Sequence, residues 1–510
     1  MTRRVFRPGF APVLAVLAGA ATVAGFAPFG LFPLPVVTLA TLGVLALRAR
    51  TPRSAFALGF VFGLGMFLAG VSWVYVSLHD FGAMPAPLAA LATLLFCAVL
   101  ALFPAGAAWA CRRAAVRPAL AVALVLPGAW VLLEWLRGWI LTGFPWLALG
   151  YSQIPSSPLA GYAPVAGIYG VSLAVALSAG ALAALFVSGR RGPALLAHPA
   201  PAALTALWLA GHILLQVQWT APSGAPLKVS LLQGNVAQDL KWREERVRPT
   251  LERYLELARA SDGRLVVLPE TALPLFLGDV PADYLVALGA TARERNGDLL
   301  VGVPERPARR EYYNSVISLG AAPPQTYRKV HLVPFGEFIP FRPVLEWIVN
   351  VLAIPLSDFT RGSPDQRPLA VAGERVAVNI CYEDAFGEEI IRQLPEATLL
   401  VNVSNVAWFG RSIAPRQHLQ ISQARALETG RYMLRSTNTG VTAIVDPRGR
   451  VVRAAPEFET AIVSGEVRGH EGATPYVRLG NLPAISLALA LTAIGALAAG
   501  ARFARPPSNR

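Results

Sequence analysis

The sequence predicts a bundle of membrane-crossing α-helices joined to an α/β layered domain, and three observations predict it. The chain is 54% hydrophobic and only 15% charged over 510 residues, with a mean hydropathy of +0.48, too apolar for an ordinary soluble protein. The apolar residues gather in long runs at the two ends. The more polar stretch between them alternates short apolar runs, which read as strands, with helical patterns.

A span needs about 20 mainly apolar residues to cross about 30 Å of hydrocarbon. Candidates cover 9–27, 33–47, 56–78, 86–111, 118–136, 163–188, 200–218 and 481–501, about eight spans in all. The second and seventh are short, and Pro33 and Pro35 blur the start of the second. Residues 1–219 are then a seven-span transmembrane region, 220–478 a polar domain, and 479–510 a C-terminal transmembrane helix and tail.

The loops test this layout independently. Arg3, Arg4 and Arg7 precede the first span, and Arg48, Arg50 and Arg53 follow the second. Arg112, Arg113 and Arg117 follow the fourth, Arg190 and Arg191 the sixth, and Arg502, Arg505 and Arg510 the eighth. The intervening loops hold only Arg137. Arginine on every second side puts both termini in the cytoplasm and 220–478 on the far face, by the positive-inside rule. The net charge of +14 therefore reports topology first. No basic stripe is interleaved with aromatics, which argues against a nucleic-acid partner.

Other membrane signals are bland. Residues 1–27 resemble a secretory signal, but six further spans follow, so the first helix is retained. Gly59, Gly63 and Gly70 lie inside an apolar run with no strand before them; they read as close-packing sites, not a phosphate loop. Glu134 and Arg137, one helical turn apart, are among the few ionisable residues in the spans. A transporter would place such groups at mid-membrane, so transport is disfavoured.

In the polar domain, 227–233, 264–268, 299–303, 314–319, 375–380, 398–403, 434–437, 441–446 and 459–466 read as strands. Residues 244–260, 282–295 and 415–432 read as helices. Pro222 and Pro226 mark the beginning of the domain, and Gly469 to Pro475 its end.

Three residues carry chemistry. Cys381 directly follows the apolar run Val376–Ile380. The other cysteines, Cys97 and Cys111, lie in or beside a span, so Cys381 has no disulfide partner in its domain. Such a thiol is either an inert core cysteine or a nucleophile. Glu270 ends the strand Val266-Val267-Leu268-Pro269, where open α/β sheets place their ligands. Its plain alternative is a surface carboxylate. Lys329, in Tyr327-Arg328-Lys329-Val330-His331, is either partly desolvated or merely exposed beside Arg328. His331 invites a Cys–His dyad, but the triad accounts for more of the segments. The six histidines show no metal-ligand spacing, so neither a metal nor another cofactor is expected.

Together these segments resemble the carbon–nitrogen hydrolase (nitrilase) superfamily, whose Glu-Lys-Cys triad appears in that chain order. The resemblance implies a nitrilase-like αββα sandwich. Gln233-Gly234-Asn235, Leu268-Pro269-Glu270-Thr271, Tyr313-Asn314-Ser315, Pro334-Phe335-Gly336-Glu337, Cys381-Tyr382-Glu383 and Trp408-Phe409-Gly410 look like the apolipoprotein N-acyltransferase family, as does the order of spans. That family implies catalysis by Glu270, Lys329 and Cys381 in a bacterial inner membrane, with the polar domain on the periplasmic side. An acyl chain would pass from a phospholipid, typically phosphatidylethanolamine, to Cys381 as a thioester. It would then pass to the amine of a diacylated apolipoprotein. The alternative is a membrane-tethered amidase, and a transporter or scaffold with an inactive domain is the different-class reading.

The chemistry explains the residue types. A thiol near pKa ~8.5 is mostly protonated at neutral pH and needs a base or a cation. Glu270 is the expected base, its pKa raised by burial. Lys329 is the expected cation, favouring thiolate and oxyanion. Trp242, Asn314, Glu337, Tyr382 and Glu383 are expected to support the site or bind substrate, with Glu383 or Glu337 orienting Lys329. Each is equally compatible with an ordinary structural role. Asp384 has no position in the family pattern. The stretch 335–359, with Phe338, Ile339, Phe341, Trp347, Ile348, Val351, Leu352 and Ile354, reads as an apolar arm that guides acyl chains. Packing in the core is its alternative, and Trp408 is judged the same way.

Overall fold

The computed structural model describes residues 9–190, 192–195, 197–339 and 358–500. Most of the apolar arm, including Phe341 to Ile354, lies outside the described residues, as do Arg3, Arg4, Arg7, Arg191, Arg502, Arg505 and Arg510. The chain divides into two compact units, one of 1–74, 87–217 and 479–510, the other of 75–86 and 218–478.

The first unit is helical. All eight apolar stretches form helices. Among the described residues five of these are long and apolar enough to cross a membrane: Pro52–Val71, Ala86–Arg113, Pro118–Arg137, Pro158–Ser188 and Leu482–Ala499. Phe10–Gly25, Leu34–Arg48 and Pro199–Leu214 are shorter apolar helices, so the expected count of about eight spans is not confirmed. Cys97 and Cys111 are buried within helix Ala86–Arg113. Helix Pro52–Val71 meets that helix through its glycines. A Cβ on Gly59 would lie 2.7 Å from the Ala105 Cα, and one on Gly63 2.8 Å from the Ala101 Cα. Glu134 and Arg137 are both buried. Glu134 accepts from the Leu149 N–H at 2.8 Å, and Arg137 donates to the Phe144 and Trp146 carbonyls at 2.6 Å. The buried Arg137 charge is here met by backbone carbonyls.

The second unit is an αββα sandwich. Its strands are β1 (Ala221–Gln233), β2 (Leu265–Val267), β3 (Asp298–Ala308), β4 (Glu311–Gly320), β5 (Thr326–Arg328) and β6 (Leu369–Val371). They continue with β7 (Glu374–Ile380), β8 (Leu399–Ser404), β9 (Met433–Thr437), β10 (Ala443–Val445), β11 (Val451–Ala454) and β12 (Ala461–Glu471). One sheet has the order β12-β1-β2-β3-β4-β5, the other β11-β10-β9-β8-β7-β6. Each has a parallel centre, β1-β2-β3 or β7-β8-β9, flanked by antiparallel strands.

Strand alternation sorts the layers. Leu265 and Val267 point into the core between the sheets, against Val376, Val378, Val401 and Leu434. Val266 and Leu268 face Leu251, Tyr254 and Leu288 of helices Glu244–Ala260 and Ala282–Arg293. Ala377, Leu400 and Met433 face Ala426 of helix Ala414–Thr429. β5, β6 and β11, short strands at the edges of the two sheets, escape the sequence reading. All four residues of β11 are moreover exposed.

The candidate span 56–78 overruns. Its helix ends at Val71, and Tyr75–Ala86 belongs to the sandwich unit. There the Ser77 hydroxyl donates to the Trp408 carbonyl at 2.7 Å, and the Phe81 ring lies edge-on to the Trp408 ring at 6.1 Å.

Because Leu434 is fully buried between the sheets, Leu434→Ala is expected to cost about 2–5 kcal/mol. The shift of the unfolding midpoint measures this. A loss below about 1 kcal/mol would mean the sheets do not interlock there.

Candidate active site

The site forms at the carboxyl ends of the central parallel strands. Leu268 N–H makes a ladder bond to Leu300 O at 2.8 Å. Pro269 has no N–H to continue it, and the chain turns through Thr271 at φ +47°. The turn lies directly on β3: a Cβ on Gly302 would come within 2.3 Å of the Pro269 carbonyl. Glu270 is thereby held inward and buried. Across β4, the Asn314 carbonyl accepts from the Lys329 N–H at 2.8 Å, which fixes where Lys329 leaves β5. β7 delivers Cys381 at φ +54°, the first residue of a short 3₁₀ turn, Cys381–Ala385.

Lys329 is 1% exposed and sits between two carboxylates. Its Nζ lies 3.5 Å from Glu270 Oε1 and 2.9 Å from Glu337. Asn314 Nδ2 bridges the same two groups, donating to Glu270 Oε1 at 2.8 Å and Glu337 Oε1 at 2.9 Å. The Asn405 N–H, just past β8, donates to Glu270 Oε2 at 2.7 Å. Burial raises the Cys381 thiol above its ordinary value; Glu270 raises it further, while Lys329 lowers it.

Glu270 departs from expectation. Burial does push its carboxyl up, but the Lys329 ammonium, the Asn314 amide and a second ammonium, Lys241, outweigh burial and hold it below its usual value. Lys329 moves the other way: burial pulls it down, yet Glu337 and Glu270 hold it well above the ordinary lysine value. The resting site holds a carboxylate, an ammonium and a neutral thiol.

Of the two candidates for orienting Lys329, Glu337 makes the ion pair. Glu383 has a different task. Its Oε1 accepts from the Val330 N–H at 2.6 Å and the His331 N–H at 3.0 Å, and its Oε2 from the Ile380 N–H at 2.6 Å. One carboxylate thus clasps the segment after Lys329 to the residue before Cys381. Burial lifts it to about 7, against those hydrogen bonds. Tyr382 packs edge-on against Phe386 at 5.0 Å and His331 at 5.8 Å. Trp242 is half exposed, and no contact joins it to the triad among the described contacts.

Several participants escape the sequence reading. The Cys381 carbonyl accepts from Asn402 Nδ2 and His418 Nε2, each at 3.1 Å. His418 also meets Asp384 at 2.7 Å, and buried Arg435 reaches Asn402 at 2.6 Å and Asp384 at 3.2 Å. This polar network lies beneath Cys381. Asp384 anchors it, the role that the family pattern left open. Lys241, buried, donates to the Glu270 carbonyl at 3.3 Å and the Thr271 hydroxyl at 3.1 Å. A signal for Lys241 was available: the chain has only three lysines, Lys228, Lys241 and Lys329, among 45 basic residues.

A family model described as apolipoprotein N-acyltransferase N-terminal domain matches residues 18–181, and one described as carbon–nitrogen hydrolase matches 228–476. A Nitrosomonas europaea protein named apolipoprotein N-acyltransferase is 55% identical, over 96% of this chain and 98% of its own. Proteins of the same name from Chromobacterium violaceum and Methylococcus capsulatus are 48% and 47% identical, over 92% and 95% of this chain and 90% and 95% of theirs. A solved carbon–nitrogen hydrolase from Helicobacter pylori aligns at TM-score 0.36 and 17% identity, over 48% of this chain and 89% of that chain. Identity at this level, running through the apolar helices and the sandwich alike, fixes the relationship: the chain belongs to the apolipoprotein N-acyltransferase family.

Proposed function

We propose that this protein moves a fatty acyl chain from a phospholipid, by way of a thioester on Cys381, to the N-terminal amine of a diacylglyceryl-cysteine apolipoprotein. The observation that carries the reading is the buried Lys329 ammonium, 3.5 Å from Glu270 and 2.9 Å from Glu337, in charge contact with a thiol at a strand end. Family membership supports the substrates.

In the first half-reaction the Cys381 thiol gives its proton to Glu270 as sulfur attacks the ester carbonyl. The carbonyl π electrons move to oxygen, and Lys329 stabilises that oxyanion, with a backbone N–H near Cys381 as second donor. The carbon–oxygen bond breaks, and Glu270 returns the proton to the departing lysophospholipid oxygen. In the second half the amine attacks the thioester, Glu270 takes a proton from it, and the carbon–sulfur bond breaks. That proton restores the thiol. The resting charges suit this order. Glu270 is held ionised, ready to accept, and the raised thiol keeps its proton until a carbonyl arrives. Glu337 and Asn314 hold Lys329 and Glu270 in register. Tyr382 and the half-exposed Trp242 are candidate lipid contacts.

The donor is proposed to be phosphatidylethanolamine. The proposed location is the bacterial inner membrane, with 220–478 on the periplasmic side and both termini in the cytoplasm. A reporter fused near Gly469 should then read as external and one at Arg190 as cytoplasmic; the reverse would overturn this orientation.

Purified protein given phosphatidylethanolamine should gain the mass of one acyl chain, and added diacylated lipopeptide should discharge it as an amide. Cys381→Ala should abolish the adduct, while Cys97→Ala should keep it. Hydrolysis of a small amide without any N-acylated peptide would mean that water is the acceptor. Lys329→Ala should lower acyl transfer by roughly 10²–10³-fold, about 3–4 kcal/mol of oxyanion stabilisation.

Lys329→Met also removes the ammonium that holds Glu270 down, so burial should then dominate and raise the Glu270 carboxyl. At neutral pH stability should fall by about 3–5 kcal/mol. In the wild type, the depressed carboxyl contributes stability above the usual carboxylate range that is lost as pH falls. In the variant the sign reverses, because protonation relieves an unpaired charge. The gap between the two melting midpoints should therefore narrow from pH 7 to pH 5; a constant gap would refute the pairing.

A further inference from the structure

Lys241 is a buried ammonium to which the reading above gives no task. It is 2% exposed, and its Nζ finds only neutral partners, the Glu270 carbonyl at 3.3 Å and the Thr271 hydroxyl at 3.1 Å. Among the described residues no carboxylate lies within ion-pair distance of it. An ammonium buried that way is costly unless something nearby requires its charge. Burial pulls it down to about 8, while Glu270 and Cys381, the two groups that exchange the proton, pull it up.

Composition supplies an independent observation. This chain writes its positive charge almost wholly as arginine, and of its three lysines two are buried at this site. The third, Lys228, is a half-exposed partner of Asp262 at 2.6 Å. A guanidinium is a wide planar fork, whereas an ammonium is a compact point charge that fits between a turn and a carboxylate.

We propose that Lys241 is a positioning residue for acyl transfer. Its ammonium clamps the Glu270–Thr271 turn and supplies the second positive charge that the cluster of Glu270, Glu337 and Cys381 requires. With Lys329 and Lys241 both charged, two carboxylates and a neutral thiol sum to zero. The sum stays at zero when the proton moves from sulfur to Glu270. Without Lys241 a buried negative charge is uncompensated throughout. Lys329 faces Glu270 from the end of β5, Lys241 bonds to the Glu270 carbonyl and the Thr271 hydroxyl, and Cys381 also senses Glu337 and, from β9, Arg435. Removing Lys241 therefore raises Glu270.

The inference rests on Glu270 as the base, so the test separates the two. Full-length protein is mixed with phosphatidylethanolamine alone, and first-turnover acylation of Cys381 is followed by quench and intact mass from pH 4 to 9. Glu270→Gln reports on the base itself: acylation within a few-fold of wild type would end that reading whatever Lys241 does. If Lys241 acts as proposed, Lys241→Met and Lys241→Gln move the acid limb of the rate up by about 0.5–1 pH unit. They also slow the plateau about tenfold. Lys241→Arg keeps the limb in place even if its rate falls, because the charge remains. Where Lys241→Met does not fold, Lys241→Gln, which can still donate to the turn, carries the test. An acid limb unmoved in Lys241→Gln, or moved equally in Lys241→Arg, would overturn the proposal.

Discussion

One buried charge sets the terms for the rest of the sandwich. Two carboxylates, Glu270 and Glu337, lie within 3.5 Å of the same ammonium. In a low-dielectric interior such acids would repel each other, and one would take up a proton. Lys329 prevents this, and the Asn314 amide ties both acids to one donor. Neither carboxylate can move without breaking a bond to the other's partner. The arrangement favours a small point charge over a planar fork, as the lysine at a position flanked by Arg328 reflects.

The backbone around this charge is organised just as tightly. Cys381 holds φ +54°, a conformation that costs a non-glycine residue of order 1 kcal/mol. The cost is offset by what the turn gains: two donors on the Cys381 carbonyl and the Glu383 clasp immediately upstream. The two sheets are also bolted together close by. The Ser436 hydroxyl on β9 lies 2.9 Å from the Leu232 carbonyl and 3.1 Å from the Val267 carbonyl, on the far sheet. Glu270 and Cys381, the proposed base and nucleophile, come from different sheets, so their separation depends on such ties.

Glu270 and Cys381 stand out in the sequence because each follows an apolar strand, whereas Lys329, at the end of the short polar strand β5, stands out only by its distinctive segment. The layer order is equally legible, since alternation along β2, β7 and β8 sorts core from helix contacts. The edge strands β5 and β11 are not, because the first is mostly polar and the second wholly exposed. The Glu270 shift runs against the sequence expectation for a specific reason. Burial is visible in a sequence, but the two ammoniums that override it, Lys241 and Lys329, are 29 and 59 positions away along the chain and meet Glu270 only in the fold. The sequence leaves Glu383 and Glu337 equal as partners of Lys329, because the groups that Glu383 binds are backbone N–H groups, which have no sequence signature. Lys241 does carry a signal, the scarcity of lysine in the chain.

The Tyr75–Ala86 segment has a practical meaning for how this protein can be dissected. Although it is encoded between two apolar helices, it covers Trp408 with Ser77 and Phe81 and belongs to the sandwich. The sandwich is therefore not a removable cassette. An excised fragment running from residue 218 to 478 would lose the Ser77 bond to the Trp408 carbonyl and the Phe81 ring beside the indole, so a fragment that keeps the unit whole must carry 75–86 with it.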